Sequence, residues 1–380
     1  MGGVAQLNTP YNCTLGNSER YRYEILTGPQ TGPEGNLLDE AKRSVPTHVV
    51  PDLVREIRPW REVRAYRDIR AHLAHPPDPE AGRYTIVHTH VSKAGILARR
   101  AARRVGTPII IHTAHGWQWT HPTRGALNRF MVLSERWAAR FTHKIIVVSE
   151  QDLEKGLSAG VGRREQYVLI ESAIPMEAFD PARVDGAAVR RELGIPAGAP
   201  VAGTVGRFAY PKEPRIMLRA AAHLLERHPQ AHFLYVGDGP EREAVLAEAG
   251  EFANHPRLHL AGLRNDVPAC LAALDVFLLS SSLERMPLAM VEAYAMGKPV
   301  VSTPAGGVPE LVLPGVTGTL VPMGDPEGLA EAAGALLNDA PTARACGREG
   351  SRRVRERFDV RRMVERVEAV YGELLERFGA

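Results

Sequence analysis

The stretch VFLLSSSLERMPLAMVEAYAMGKPVVS, residues 276–302, reads as a strand, a loop, a helix and a second strand. Val276–Leu279 and Pro299–Ser302 are short apolar runs. Pro287 suits the first turn of the helix between them, where no backbone N–H is required. The same alternation extends outward on both sides. Thr319–Val321 follows it, and Val201–Val205 and His232–Val236 precede it. The first half of the chain repeats it with Tyr23–Leu26, Thr47–Val50, Thr85–His88, Ile109–Thr113, Lys144–Val148 and Tyr167–Ile170. Amphipathic stretches such as Lys93–Arg104 and Ala126–Phe141 lie between these runs. Apolar strands alternating with helices predict parallel sheets covered on both faces. Two such series predict an α/β protein of two doubly wound, Rossmann-like domains.

The boundary falls in Ala173–Pro200, which holds Pro175, Pro181, Pro196 and Pro200 with Gly186, Gly194 and Gly198. This gives domains over 1–180 and 181–358. A closing segment, 359–380, has Val360–Phe378 as a long amphipathic helix that is free to cross back to the first domain. The start is anomalous. Met1-Gly2-Gly3-Val4-Ala5-Gln6 looks like the glycine-rich turn that follows a first strand, and Leu7–Tyr21, with Pro10, Gly16 and three Asn, makes a poor helix. The first strand of the N-terminal domain is therefore expected to be missing. Either the chain is shortened there or the domain is built unusually.

Composition bounds the remaining choices. The chain has 380 residues, 44% hydrophobic and 24% charged, the mix of a globular protein with a full core. Three cysteines, Cys13, Cys270 and Cys346, suit neither a disulfide framework nor a thiolate metal site and fit a reducing cytoplasm. No apolar run is long enough to span a membrane. Residues 1–180 carry 24 Lys and Arg against 19 Asp and Glu, and residues 181–380 carry 23 against 25. That asymmetry permits an N-terminal half that meets a phospholipid surface or a phosphate-bearing acceptor. It is far too small for a nucleic-acid binder.

Three loops carry the chemistry. Glu284 and Glu292 flank the helix start at Pro287, with Glu292 about one and a half turns in. Both can face a crevice at the carboxyl end of the sheet, where open α/β folds bind ligands. The N–H groups of Leu288 and Ala289 can meet a phosphate there, and two carboxylates can hold the hydroxyls of a sugar and a ribose. Arg207 and Lys212 leave the end of Val201–Val205 in the run Gly206–Lys212. An arginine fork and a lysine point charge suit a pyrophosphate, and they would stabilise it as a leaving group. Gly237-Asp238-Gly239-Pro240 and Gly262–Val267 each end a strand. Their backbone could read a flat base, though a plain turn explains either equally well. Ala305-Gly306-Gly307 is a further place of close approach, with the same alternative.

Taken in order, Gly206-Arg207…Lys212, Gly237-Asp238-Gly239, Glu284-x7-Glu292, Gly297-Lys298-Pro299-Val300-Val301 and Gly306-Gly307…Glu310 resemble the GT-B retaining glycosyltransferases of family 4, of the bacterial surface-polysaccharide type. The likeness covers nearly all of residues 200–340. It implies two facing Rossmann-like domains with a nucleotide-diphosphate sugar between them, no required metal and no further cofactor. By the resemblance, Arg207 and Lys212 bind the diphosphate, Glu284 touches the transferred sugar and Glu292 the ribose. Backbone near Gly237 and Arg264 meets the nucleotide. Family members often carry Gly and an aromatic residue after the first Glu. Arg285 and Met286 stand there instead, which leaves the fit to the sugar open.

The first half matches less closely. His112-Thr113-Ala114-His115-Gly116 resembles the family's histidine-bearing loop, which implies that His115 faces the donor sugar. His88–Gly95 resembles a loop of surface-polysaccharide members. His88, His90, His112 and His115 invite a metal reading, but no nearby carboxylate completes a site. His88 and His112 read equally as core or cleft-edge imidazoles. Trp117 and Trp119, near His121, either line an acceptor pocket or belong to a structural loop. Arg99, Arg100, Arg103 and Arg104 form two cationic pairs along a helix. They read either as a solvated face or as a patch for membrane or phosphate.

The resemblance implies retention at the anomeric carbon by front-face attack, with the departing phosphate oxygen taking the acceptor's proton. The expected partners are a nucleotide-sugar donor and a hydroxyl acceptor, which a lipid can carry at the cytoplasmic face of the membrane. Two other readings share the residues: a sugar-nucleotide epimerase and a truncated, non-catalytic nucleotide-sugar binder. A pyridoxal-phosphate phosphorylase would need a Schiff-base lysine, for which only Lys212 and Lys298 exist after residue 180.

Overall fold

The computed structural model describes residues 3–29, 38–54, 56–78, 82–117, 119 and 125–379. It divides into two compact units, Met1–Ser172 with Val360–Ala380 and Ala173–Asp359.

The first unit contains strands β1 (Ile25–Thr27), β2 (Thr47–Val49), β3 (Ile86–His90), β4 (Ile109–Ala114), β5 (Lys144–Val147) and β6 (Tyr167–Leu169). Its helices are α1 (Gly3–Thr14), α2 (Leu38–Ser44), α3 (Pro59–Ala74), α4 (Ser92–Val105), α5 (Gly125–Ala139) and α6 (Glu150–Ser158), together with the closing helix Val360–Phe378. Every strand pairing is parallel. Two β-branched runs, Ile109–Ile111 and Ile145–Val147, are fully buried, as strands covered on both faces must be. Helices α3 and α4 pack together over Ala65, Ile69, Ala101 and Ala102.

The second unit contains β7 (Val201–Val205), β8 (His232–Val236), β9 (Leu258–Gly262), β10 (Val276–Leu279), β11 (Val300–Ser302) and β12 (Gly318–Leu320). Its helices are α7 (Ala187–Glu192), α8 (Pro214–Arg227), α9 (Arg242–Ala249), α10 (Val267–Ala272), α11 (Leu288–Ala295), α12 (Pro326–Asn338) and α13 (Ala340–Arg357). One sheet takes all six strands in the order β12-β11-β10-β7-β8-β9. Its first strand, β7, is central, and the order reverses between β7 and β10. Helix α8 packs on α12, and α11 on α13. Asp325 and Asp339 start α12 and α13 by accepting from Gly328 N and Thr342 N. The sequence reading placed a strand end at Gly262 but named no apolar run for β9. This strand lies at the sheet edge with four of its five residues half-buried, and His259 and Ala261 dilute its apolar signal.

The first unit lacks the continuity of the second. Its strands form a four-stranded sheet, β3-β4-β5-β6, and a separate two-stranded sheet, β1-β2. Among the described residues, β1 pairs only with β2, and β3 only with β4. A cavity of about 890 Å³ is lined by both β1 and β3, and also by Tyr21, Tyr23, Tyr371 and Leu375. In the second unit, the corresponding place between the second strand and the fourth is held by β7.

The reading of the start as turn and poor helix is corrected. Gly3–Thr14 is helical despite Pro10, and Met1 and Gly2 lie outside the described residues. Tertiary packing overrides propensity there. Helix α1 lies against the closing helix, and Cys13 and Tyr23 pack with Ile25, Ala41 and Val45. Glu368 of the closing helix accepts from Asn17 N at 2.6 Å and from Tyr23 Oη at 2.5 Å.

Two open sheet edges around a cavity should make this region the weakest in the protein. Native-state hydrogen exchange is expected to show protection in β1, β2 and β3 lower than in β7, β8 and β10 by at least about tenfold. Equal protection across both sets would show that the split sheet costs the first unit nothing.

Candidate functional site

The chain leaves β7 through Gly206–Glu213 into α8, and leaves β10 through Ser280–Pro287 into α11. These neighbouring strands flank the point where the strand order reverses, so their loops frame the crevice expected of an open sheet. Hydrogen bonds join the two loops. Ser280 Oγ donates to Lys212 O at 2.8 Å, Ser282 N to Pro211 O at 2.9 Å and Ser282 Oγ to Glu213 Oε1 at 2.6 Å. Lys212 Nζ then reaches Glu284 Oε1 at 2.5 Å, and Ser281 Oγ donates to the same oxygen at 2.6 Å. Glu284 is only 9% exposed. A carboxylate at that depth needs these partners, because removing one from a buried pair costs about 3–5 kcal/mol. Arg207 is exposed at the end of β7.

Glycines bring the next loop in. A Cβ on Gly237, where φ is +139°, would lie 2.0 Å from Gly206 O, and one on Gly239 would lie 2.5 Å from Phe208 O. Phe208 N donates to Asp238 O, and Glu241 N to Phe208 O. The loops after β7 and β8 therefore lie in direct contact. Gly306 and Gly307 serve a different end from the one the sequence suggests. A Cβ on Gly306 would come within 1.7 Å of Glu284 O, and one on Gly307 within 2.1 Å of Arg285 O. Their close approach is to the backbone that carries Glu284, and it fixes that residue in place.

Arg264 is held by two carboxylates. It makes bonds of 2.5 and 3.0 Å to Glu192 and of 2.8 and 2.7 Å to Asp266. Those bonds raise its already high pKa. The guanidinium is thus occupied, and a ligand would meet this loop through its backbone. Leu288 and Ala289 open α11, where helical geometry leaves N–H groups without intrahelical acceptors. Glu292 follows on the same helix, half-buried. Burial pushes its carboxyl up to about 7, against the lowering effect of Lys212. Met286 is 5% exposed, so one of the two departures from the family pattern is a core residue. Lys298 donates to Ala272 O at 3.0 Å and Leu274 O at 2.6 Å, and burial lowers its pKa to about 8. Lys212 and Lys298 are thus both engaged, which removes support from the phosphorylase reading.

The histidines belong to the first unit. His115 Nε2 lies 3.0 Å from His90 Nδ1, with the rings stacked at 5.3 Å, and His90 stacks on His88 at 4.4 Å. His88 bonds Tyr371 Oη at 2.6 Å and Thr113 Oγ1 at 2.7 Å. His112 is buried and bonds Thr89 Oγ1 at 2.9 Å, which makes it a core imidazole. Trp117 is 1% exposed, donates to Asp152 O at 2.7 Å and stacks on Trp119 at 4.4 Å. Its burial and its bond fit the structural-loop alternative. His121 lies outside the described residues. The four-arginine patch is also corrected. Arg99 is fully buried against Glu135 at 2.5 Å, while Arg100 and Arg103 lie over the rings of Tyr66 and Phe141. No described helix is long and apolar enough to cross a membrane.

Two family models match in tandem, a glycosyl transferase 4-like domain over residues 16–173 and glycosyl transferases group 1 over residues 199–339. A UDP-Gal:α-D-GlcNAc-diphosphoundecaprenol α-1,3-galactosyltransferase of Escherichia coli is 34% identical over 252 residues, which are 64% of this chain and 64% of that protein. A D-inositol 3-phosphate glycosyltransferase of Thermobispora bispora is 29% identical over 78% of this chain and 72% of its own. Among solved structures, Anabaena Alr3699/HepE in complex with UDP and glucose superposes with a TM-score of 0.80. It is 22% identical and covers 98% of this chain and 96% of that one. The chain is a glycosyltransferase of the GT-B fold.

Two predictions follow from this geometry. Arg207→Ala and Lys212→Ala should each weaken UDP or GDP binding by about 1.5–3 kcal/mol in calorimetric titrations and leave nucleoside affinity within about twofold. Equal affinity for the diphosphates would remove these cations from the site. The second concerns Glu292. Its folded pKa is raised, so the folded state holds a proton that the unfolded chain releases above about 4.5. Stability is lost as pH rises from there through about 7, by at most about 3 kcal/mol. Glu292→Gln should therefore melt several degrees higher than the wild type at pH 8 and together with it at pH 4. An equal difference at both pH values would contradict a titrating carboxyl.

Proposed function

We propose that the protein transfers a sugar from a nucleotide-diphosphate donor to a hydroxyl acceptor, with retention and without a metal at the donor. The observation that carries this reading is the Lys212–Glu284 pair at the strand-order reversal, on the loop that also bears the exposed Arg207. That arrangement supports a reading in which the cations meet a diphosphate and the carboxylate meets sugar hydroxyls. The acceptor oxygen forms its bond to the anomeric carbon on the face that the phosphate oxygen leaves, and that oxygen takes the acceptor's proton. Arg207, Lys212 and the start of α11 stabilise the charge that develops on the diphosphate. Two similar proteins, one named for UDP-Gal and one solved with UDP, favour a uridine donor.

We further infer a lipid-linked acceptor, in the synthesis of a surface polysaccharide or glycolipid, and a peripheral contact with the cytoplasmic face of the membrane. Helix α5 buries Glu135, Ala138 and Ala139 and exposes Phe130 at 62%, Leu133 at 61% and Trp137 at 41%. Arg129, Arg136 and Arg140 share that outer face. Aromatic and aliphatic side chains among arginines suit an anionic bilayer surface.

Nucleotide release from UDP- and GDP-sugars, followed with and without a polyprenyl-diphosphate sugar acceptor, tests the activity. Release that needs the acceptor supports transfer. Release without it, with an altered free sugar, supports an epimerase, and binding without turnover supports a non-catalytic binder. Glu284→Gln should depress turnover more than UDP affinity. That affinity should be unchanged by EDTA, and a strict requirement for Mn²⁺ or Mg²⁺ would contradict the metal-free donor site. Phe130→Ser/Trp137→Ser should lower co-sedimentation with phosphatidylglycerol vesicles about tenfold or more. Unchanged sedimentation would exclude α5 as the contact.

A further inference from the structure

The cavity wall of the first unit gathers a second set of polar side chains, remote in sequence from those that would hold the donor. Glu24 directly precedes β1, His48 is the middle residue of β2, and His72 lies in the last turn of α3. His72 Nε2 stands 3.3 Å from Glu24 Oε1, and His48 Nε2 contacts the same oxygen. The two imidazole rings lie 4.6 Å apart. One ligand atom from each of the three residues falls within 4.8 Å of the others. Tyr84, just ahead of β3, donates to Glu24 Oε2, and its hydroxyl lies 3.0 Å from His72 Nε2. Arg22, the neighbouring cation, is paired with Asp78 at 2.6 Å.

Two imidazoles and a carboxylate are a borderline donor set, suited to Zn²⁺ and other late first-row divalent ions and poorly suited to Ca²⁺ or Mg²⁺. A tetrahedral ion with bonds of about 2.0–2.1 Å sets its donors about 3.3 Å apart. That matches the observed separation of Glu24 and His72. Tyr84 holds the second carboxylate oxygen, as groups around metal ligands commonly do.

The position gives the cluster a task. No backbone ladder joins β1 and β2 to β3 among the described residues. The three ligands come from the residue before β1, from β2 and from α3, and Tyr84 from the approach to β3. We propose that Glu24, His48 and His72 bind one divalent transition-metal ion, Zn²⁺ foremost, that clamps the two-stranded sheet to α3 at the cavity. The fourth coordination position is left to water. The site is structural and independent of the donor-binding reading.

The test uses the full chain freed of metal by chelation and dialysis. Titration with Co²⁺ should give the visible bands of four-coordinate cobalt, saturating at one equivalent and bleached by Zn²⁺. Zn²⁺ should raise the melting temperature and slow hydrogen exchange in β1 and β2. His48→Ala and His72→Ala should each weaken the metal at least a hundredfold, and Glu24→Gln at least tenfold. His90→Gln should leave its affinity unchanged. A wild type without a saturable cobalt spectrum overturns the proposal, and that measurement needs no variant to fold. So does binding that persists in His48→Ala/His72→Ala but is lost in His90→Gln.

Discussion

The second unit depends on a carboxylate that is almost wholly buried. Glu284 is held there by Lys212 and Ser281, and each partner requires structure behind it. Lys212 reaches it only because the serine loop after β10 bonds the backbone of the loop after β7. The Glu284 backbone is set by two glycines whose missing Cβ atoms allow contact with it. The two strands that launch these loops are neighbours because β7 is central in the sheet. Sheet order, glycine placement and the ion pair are thus one arrangement seen at three scales. Every residue of this arrangement lies in the second unit.

The same geometry separates the cations by what they hold. Arg264 makes four bonds to carboxylates and Lys298 makes two to carbonyls. Both hold loops and strands. Lys212 reaches Glu284, and Arg207 lies at the surface. On the proposed reading, a diphosphate would bring negative charge to Lys212, which could then be shared between phosphate and Glu284, so that binding need not expose the carboxylate to the cost of isolation.

The sequence made the strands and the loops that follow them legible because both have short-range causes. Apolar runs of four or five residues mark buried parallel strands, and a glycine or proline at a strand end marks a loop. Glu284 and Glu292 could be placed before and within one helix by counting along the chain. What stayed hidden was long-range. Gly306 appeared to await a ligand, but it touches Glu284, 22 positions away in the chain. Arg99 belonged to a cationic stripe by spacing, yet its partner Glu135 sits on another helix. Helix α1 forms against its own propensity because the closing helix, at the far end of the chain, packs on it. The Glu24–His48–His72 cluster had no motif at all, since its members are 24 residues apart and only the fold brings them together.

The two units solve the same architectural problem differently. In the second, the central strand both completes the sheet and launches the loop that bears Arg207 and Lys212. In the first, among the described residues, β1 pairs only with β2 and β3 only with β4, and the cavity that both line is bordered by tyrosines and histidines. Burial has a consistent effect on the imidazoles there. It pushes His88 and His112 well below the ordinary range and His90 to about 4, so all three are neutral at pH 7. A neutral ring has one donor and one acceptor. His88 therefore gives a hydrogen to one of Tyr371 and Thr113 and takes one from the other, and the bond between His90 and His115 must likewise have a single direction. A stack of cations in the same place would repel itself. Neutral His88 and His90 fix their tautomers instead, and with His115 they join β3, the loop after β4 and the closing helix through polar contacts.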